Sequence, residues 1–386
     1  MNKNLFQLYT LSALIYFAQG INGLPALSFF CYLKETLGFD VQKIMYITSL
    51  ISLAWCAKPC GGWLIDFLGI SKKIWIIWSI IISLVFTLLL GFISYLPFVI
   101  FCMFLISTSG AIRDIANDGQ MCVMGKKYKC TGALQSLQWS SITVASILTG
   151  LLGGIIAEHF NYHIAYLLLV PFYVTMLFIA LNYKEETLNT VSKLSFIDSM
   201  KNLFKDKNLL LVCIFLFLYN LSPSIGAPLQ FIQLDTFKWS KTFIGLLGTI
   251  GAIASLGGTW LYWKFSKNLD LKLWLYRSIW LGAICTLGYL FYFPFTAVLY
   301  DIIFSITSMF FTLLVLDFMA RESKTGYEAL TFALLCSVTN LTSTLNGFIG
   351  GWLFPIVGLK VLIIISAFAS FLCLPLISRL KLDKQT

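Results

Sequence analysis

Long apolar runs, separated by short polar clusters, set the frame of this chain. Twelve of them, at about 8–31, 43–67, 74–95, 97–122, 132–156, 163–183, 209–232, 241–264, 270–292, 295–318, 327–350 and 357–379, approach the roughly 20 residues that a helix needs to cross the hydrocarbon of a bilayer. The pattern predicts an all-α integral membrane protein with twelve transmembrane helices. The longest polar stretch, 184–208, falls after the sixth run and divides the chain into a six-helix bundle over 1–183, a linker, and a second six-helix bundle over 209–386. Within the linker, 194–203 is amphipathic enough to lie on a leaflet, and a plain connection reads equally well.

Composition agrees with this frame. Hydrophobic residues make up 59% of the chain and charged residues 11%, with a mean hydropathy of +0.85, whereas a soluble protein carries about 25% charged residues. Lys3 precedes the first run, but no small-residue cleavage site follows, so that run is expected to stay as a span. The net charge of +10 invites a nucleic-acid reading, which the positions of the charges remove. Lys72, Lys73, Lys126, Lys127, Lys129, Lys264, Lys267, Lys272, Arg277, Arg321 and Lys324 cluster in one set of loops, and the opposite set holds few. By the positive-inside rule the basic loops and both termini are cytoplasmic, in a multi-pass protein of the cell membrane. The ten cysteines lie scattered in apolar runs and read as small buried hydrophobes; Cys56 and Cys60 share a helix face without forming a metal or disulfide framework.

The two halves echo one another. GLPALSFF in the first run matches GAPLQFIQ in the seventh, placing Gly23 and Pro25 against Gly226 and Pro228. TGAL and GLLGG bracket the fifth run, as TGYEAL and GFIGG bracket the eleventh. Such repeats suit two bundles around a central path, with substrate bound near the midplane.

Two stretches carry polar chemistry. KPCGGWLIDFLGISKK, at the end of the second run, has Gly62, Asp66, Gly69, Lys72 and Lys73 in the spacing of the loop signature of the major facilitator superfamily, which it resembles. A glycine there permits close helix approach, and an aspartate at a helix end can bind neighbouring helix termini and release them, so these five are the gating candidates. The second-half counterpart, GGTWLYWKFSK, lacks the aspartate, which predicts an asymmetric gate. The other stretch is AIRDIANDGQ in the fourth run. Asp114 and Asp118 are four apart and share a helix face. Arg113 points about 100° away from Asp114 and shares its own face with Asn117. Each such charge costs roughly 2.5–3.5 kcal/mol at a helix centre on insertion scales, so each needs a partner or a purpose.

YFAQGINGLP, YLKETLG, WCAKPCGGWLIDFLG, RDIANDG and TGALQSLQWS together resemble the folate–biopterin transporters, a branch of the major facilitator superfamily, over the first 160 or so residues. The acids of the fourth run are also similar to those of muropeptide permeases. The resemblance implies a secondary carrier, a monomer without a cofactor, that takes up a folate or pterin by symport with protons. Asp114 would then be the proton carrier and Asp118 its partner or a second site, since a carboxylate in the membrane can bind a proton on one side and release it on the other. A flat heteroaromatic ring calls for stacking surfaces and amides, which Gln19, Asn22, Gln135, Gln138 and Trp139 offer, and folate carboxylates call for a cation, from Lys58 or Arg113.

Other polar residues read less sharply. Pro223 and Pro228 break or kink the seventh run. Asp317 with Arg321 forms a surface pair at i,i+4, Asp301 stands more isolated near the outer end of the tenth run, and Asn340 and Asn346 sit within the eleventh. His159 and His163 have a ligand-like spacing but no third ligand, and no metal is expected. A carrier of another solute, such as a muropeptide or small organic anion, and a non-transporting sensor on the same fold are the alternatives. An enzyme would want a GxSxG or HExxH motif, and the chain has neither.

Overall fold

The computed structural model describes residues 3–128, 130–185, 205–266, 269–323 and 328–380. Every described element is helical. The first half runs through α1 (Lys3–Ile21), α2 (Ala26–Cys31), α3 (Val41–Ser52), α4 (Lys58–Leu68), α5 (Lys72–Leu90), α6 (Leu96–Tyr128), α7 (Thr131–His159), α8 (Tyr162–Leu167) and α9 (Val170–Asn182). The second continues with α10 (Lys207–Tyr219), α11 (Gly226–Phe231), α12 (Lys241–Phe265), α13 (Leu271–Gly288), α14 (Ala297–Arg321), α15 (Glu328–Ala369) and α16 (Leu374–Ile377). Eight described helical stretches are long and apolar enough to cross a membrane. The longest, Leu330–Ile377, takes in both the eleventh and the twelfth apolar run, with a kink at Gly358 (φ 71°). The remaining runs, 43–67, 209–232 and 270–292, are helical but broken or shorter. Large apolar side chains, Trp78 (59%) and Phe178 (69%) among many, lie exposed along the helix surfaces, the extended apolar surface expected of helices that face lipid. Most of the linker, including 194–203, lies outside the described residues.

The repeat seen in the residues is also a repeat of backbone devices. In the first half, α1 stops before Pro25, α2 follows, and a π-helical turn over Tyr32–Thr36 closes with Leu37 N–H donating to Tyr32 O at 3.1 Å. In the second half α10 stops before Pro223, α11 follows, and a π-helical turn over Ile232–Thr236 closes with Phe237 N–H donating to Ile232 O at 2.9 Å. Each turn is followed by a residue with positive φ, Gly38 at 64° and Lys238 at 55°. The glycine occupies the left-handed region freely, and the lysine holds it against a steric cost.

By internal contacts the chain forms two units. One comprises Met1–Gly38, Ile51–Phe196 and Ser240–Thr249, the other Phe39–Leu50, Ile197–Trp239 and Ile250–Thr386. The grouping follows the two halves, apart from α3, of which all but the last two residues group with the second unit, and the start of α12, which groups with the first.

In the first unit small residues let helices touch. A Cβ on Gly20 of α1 would stand 2.6 Å from Ala145 Cβ of α7, and one on Gly154 would stand 2.7 Å from Lys241 O. These are the close crossings by which membrane helices associate without a hydrophobic driving force. The second unit packs Phe215, Leu216, Leu275, Leu314, Phe318 and Leu335 into one buried cluster. The break in the seventh run exposes backbone groups that lipid cannot satisfy. Asn346 of α15 meets them: its Oδ1 accepts from Ser222 N–H at 2.9 Å, its Nδ2 donates to Asn220 O at 2.8 Å, and its backbone O accepts from Ser224 N–H at 2.9 Å. Ser366 adds a hydroxyl bond to Pro223 O at 2.5 Å. The break is a built feature, and Asn346 is one reason it holds.

Candidate functional site

All three charges of AIRDIANDGQ lie on α6, and each meets a different neighbour. Asp114 pairs with Lys58 of α4, Nζ to Oδ2 at 2.5 Å, with the two side chains only 15% and 6% exposed. Proline at the second position of α4 leaves no interior hydrogen bond unmade. Lys58 Nζ also stands 4.8 Å from the centroid of the Trp55 ring. Asp118, one turn on, accepts from Tyr16 OH of α1 at 2.7 Å and from Gln138 Nε2 of α7 at 3.0 Å. Among the described residues no ammonium or guanidinium lies at ion-pair distance of Asp118. Between the two, Asn117 accepts from Ser12 Oγ at 2.9 Å. The two carboxylates thus share a face, as their spacing requires, and both are within hydrogen-bonding reach of Tyr16, but only Asp114 has an ion-pair partner.

Arg113 points elsewhere. It is 2% exposed, its Nη1 donates to Ser83 Oγ at 3.1 Å, and its guanidinium carbon stands 5.7 Å from the centroid of Tyr173. Its Nε–H has no partner, and no carboxylate among the described residues pairs with it. It lines a cavity of about 320 Å³ inside the first unit, together with Gln19, Asn22, Trp55, Ser107 and Thr87 and the apolar faces of Ile51, Met103 and Leu169. Thr87 Oγ1 is a second buried group there without a partner. Asn22 accepts from Tyr173 OH at 2.8 Å, so the ring that faces Arg113 also orients this amide. The result is a mainly apolar chamber with one unneutralised cation and a few amides and hydroxyls, which suits a flat molecule bearing an anionic group.

Of the residues singled out for substrate, Gln19, Asn22 and Arg113 come together in this cavity. Lys58, Gln138 and Trp139 do not line it. Lys58 is engaged by Asp114 and Gln138 by Asp118, while Trp139 is 37% exposed. The side chains of Gln135 and Asp66 lie outside the described residues. Sequence reasoning missed Trp55, Ser83 and Tyr173. Trp55 stands one turn before Lys58 and could have been found from that spacing. Ser83 and Tyr173 lie on helices remote in sequence, and no local signal marks them.

The span-two signature is organised by a residue the motif does not contain. Glu185, just past α9, accepts from Lys72 N–H at 3.2 Å and Lys73 N–H at 3.1 Å, and it also binds Ser71 Oγ and Gln120 Nε2. It therefore caps α5, where orphan N–H groups and the helix dipole both favour a carboxylate. Gly69 ends α4 with φ 61°, a position that a left-handed cap reserves for glycine. Gly62 faces Ile115 of α6, where a Cβ would find Ile115 Cγ2 at 3.6 Å; the Lys72 side chain lies against Gly119, and Lys73 Nζ donates to Leu181 O at 2.8 Å. In the second unit a Cβ on Gly258 would fall 2.2 Å from Ile306 O, so the close approach expected of Gly62, whose 3.6 Å is ordinary contact, is found in the counterpart stretch instead.

The remaining candidates resolve more simply. Asp317 pairs with Arg321 through two bonds of 3.1 and 2.7 Å and accepts from Tyr262 OH at 2.9 Å. His163 uses both ring nitrogens on Leu90 O and Ser94 Oγ, at 2.7 and 3.1 Å. Asn340 lines a second cavity, of about 450 Å³ inside the second unit, among serines, threonines and Asn220 with no charged side chain.

Helices of this number and apolarity, repeated in two halves, define a multi-pass membrane protein. The fold is that of the major facilitator superfamily of secondary transporters. The crystal structure of the D-xylose–proton symporter superposes with a TM-score of 0.79 over 97% of this chain and 97% of that one, at 12% identity. That of the nucleoside transporter NupG superposes at 0.75 over 99% and 100%, at 17% identity. The chain belongs to the BT1 family, whose model matches residues 19–385. It is 25% identical over 396 residues to the folate-biopterin transporter of Synechocystis sp., covering 95% of this chain and 80% of that one. To folate transporter 1 of Plasmodium falciparum it is 22% identical over 366 residues, covering 89% and 72%.

Proposed function

We propose that the protein is a monomeric, proton-coupled importer of a folate or pterin, working by alternating access in the cell membrane. Its twelve spans form six-helix bundles over 1–183 and 209–386 joined by the linker 184–208, with both termini cytoplasmic, as the Lys and Arg distribution requires. The observation that carries the substrate reading is Arg113: a buried guanidinium with an unmet Nε–H and no carboxylate of its own, lining a cavity with Trp55, Gln19 and Asn22. A substrate carboxylate or the carbonyl edge of a pterin supplies the missing acceptor, and Trp55 supplies a stacking face. The names of the relatives support the same class of solute.

The proton falls to Asp118 before Asp114, which reverses the order expected from sequence. Lys58 already supplies the counter-charge of Asp114. Asp118 has only neutral donors, so a bound proton supplies what no cation does. Protonation weakens the bonds from Tyr16 and Gln138, because a neutral carboxyl accepts less strongly than a carboxylate. That loosens α6 from α1 and α7 while Arg113, on the same helix, holds the substrate. Gly62, Gly69, Lys72 and Lys73 act as the gate around the α4–α5 turn, and Asp66 belongs with them by its place in the motif.

Uptake of labelled folate and biopterin into proteoliposomes, with and without an inward proton gradient, tests this reading. Wild type should accumulate one of them. Arg113→Met should lose about 10- to 100-fold in apparent affinity, the size of one charge-assisted hydrogen bond. Unchanged affinity in Arg113→Met, or no accumulation by folded wild type, would overturn the substrate assignment.

A further inference from the structure

Asp301 lies near the start of α14, away from every residue assigned above. It accepts from Tyr292 OH at 3.0 Å, and Tyr292 OH in turn accepts from Gln233 Nε2 at 2.9 Å. Tyr292 and Gln233 are each 6% exposed. The titratable groups facing Asp301 are Tyr292 and Tyr289, with Cys285 beyond Tyr289 on α13. Among the described residues no Lys, Arg or His reaches it at ion-pair distance. An ionised Asp301 is therefore supported by one hydroxyl and no counter-charge.

The other end of the chain is unpinned. Gln233 Oε1 is buried without a hydrogen-bond partner. Among the described residues no hydrogen bond to Oε1 holds the amide against a half-turn that would present its oxygen, instead of its nitrogen, to Tyr292. The chain can thus run in either direction. With Asp301 ionised it runs from Gln233 through Tyr292 to the carboxylate. With Asp301 protonated, the carboxyl O–H donates to Tyr292, and the Tyr292 hydroxyl donates to the turned Gln233. The internal repeat isolates this feature: the corresponding position of the first π-helical turn is Leu33, fully buried, where the second turn has Gln233. A polar residue at a site where the same backbone otherwise buries leucine needs a reason of its own. Gln233 also anchors the turn, since its backbone O accepts from Trp239 N–H at 3.0 Å beside the positive-φ Lys238. π-helical turns collect at functional positions.

We infer that Asp301 is a second proton-binding site, whose occupancy reverses the Tyr292–Gln233 hydrogen-bond chain and so reaches the π-helical turn of the broken seventh span. Its use in transport rests on the proton-coupled reading above; the binding itself does not. Asp118 and Asp301, two carboxylates with no cation at ion-pair distance among the described residues, then stand one in each half of the chain, each linked to a tyrosine and a glutamine.

The test is infrared difference spectroscopy of the full-length protein in liposomes between alkaline and acid pH, without substrate. Wild type should show a protonated-carboxyl band that Asp301→Asn lacks. Tyr292→Phe keeps the carboxyl but removes the hydroxyl that supports its ionised form, so the band should persist with its midpoint displaced about tenfold in proton concentration. Superimposable wild-type and Asp301→Asn spectra would overturn the proposal. Should Asp301→Asn not fold, Tyr292→Phe decides alone, and an unmoved midpoint would equally overturn it. Because no substrate is present, failure to transport folate or pterin leaves this result untouched, and a missing band leaves the substrate assignment untouched.

Discussion

Removing either member of the Lys58–Asp114 pair should cost far more than removing both. The two side chains are 15% and 6% exposed and meet at 2.5 Å, so each single change strands a nearly buried charge. Breaking such a pair costs about 3–5 kcal/mol, whereas replacing both members by neutral groups of similar size is close to neutral. The Trp55 ring, 4.8 Å from the ammonium, makes the two singles unequal. In Asp114→Asn the lysine keeps a cation–π contact of about 1 kcal/mol, which sets this variant near 3 kcal/mol. In Lys58→Met the carboxylate keeps no cation at all, which sets that variant nearer 5 kcal/mol. Folded fraction against temperature in detergent, measured for wild type, both singles and the double variant, reads the coupling directly. The double variant should lie within about 1 kcal/mol of wild type. Additive single effects, or a Lys58→Met protein more stable than Asp114→Asn at neutral pH, would refute the assignment of a nearly buried ion pair.

Two further outcomes follow from the packing. Asn346→Leu strands Ser222 N–H and Asn220 O at the break in the seventh span; at about 1–3 kcal/mol for each buried group left unmet, it should destabilise the second unit and speed hydrogen exchange around 220–225, and unchanged exchange there would show that the break needs no anchor. Gly245→Ala places a Cβ 2.3 Å from Gly150 O, so it should cost about 1–3 kcal/mol by forcing the crossing apart, and a melting temperature equal to that of wild type would contradict the close approach.

The sequence alone determined what depends on near neighbours. Run length and hydropathy located the membrane helices, because a span must bury about 20 apolar residues whatever it packs against. The 3.6-residue period placed Asp114 and Asp118 on one face of α6 and turned Arg113 away from them. The echo of GLPALSFF in GAPLQFIQ announced a repeat, and the paired π-helical turns at Tyr32–Thr36 and Ile232–Thr236 are its backbone form.

Which partner each charge takes was decided only in three dimensions. The cost of a charge in hydrocarbon says that Asp114 needs a counter-ion, and the helix period turned Arg113 away from it, but only helix packing showed that Lys58 of α4 is that counter-ion. That choice left Arg113 without a carboxylate among the described residues, lining the cavity, and it is the ground on which the proposed proton role passes to Asp118. Glu185 is a further case: nothing in its surroundings in the chain marks it as the cap of a helix that begins at Lys72. Helix formation is a sum of local terms, each fixed by residues within a turn or two. The pairing of buried polar groups depends on how every helix in a bundle packs at once, and a single sequence does not display that solution position by position.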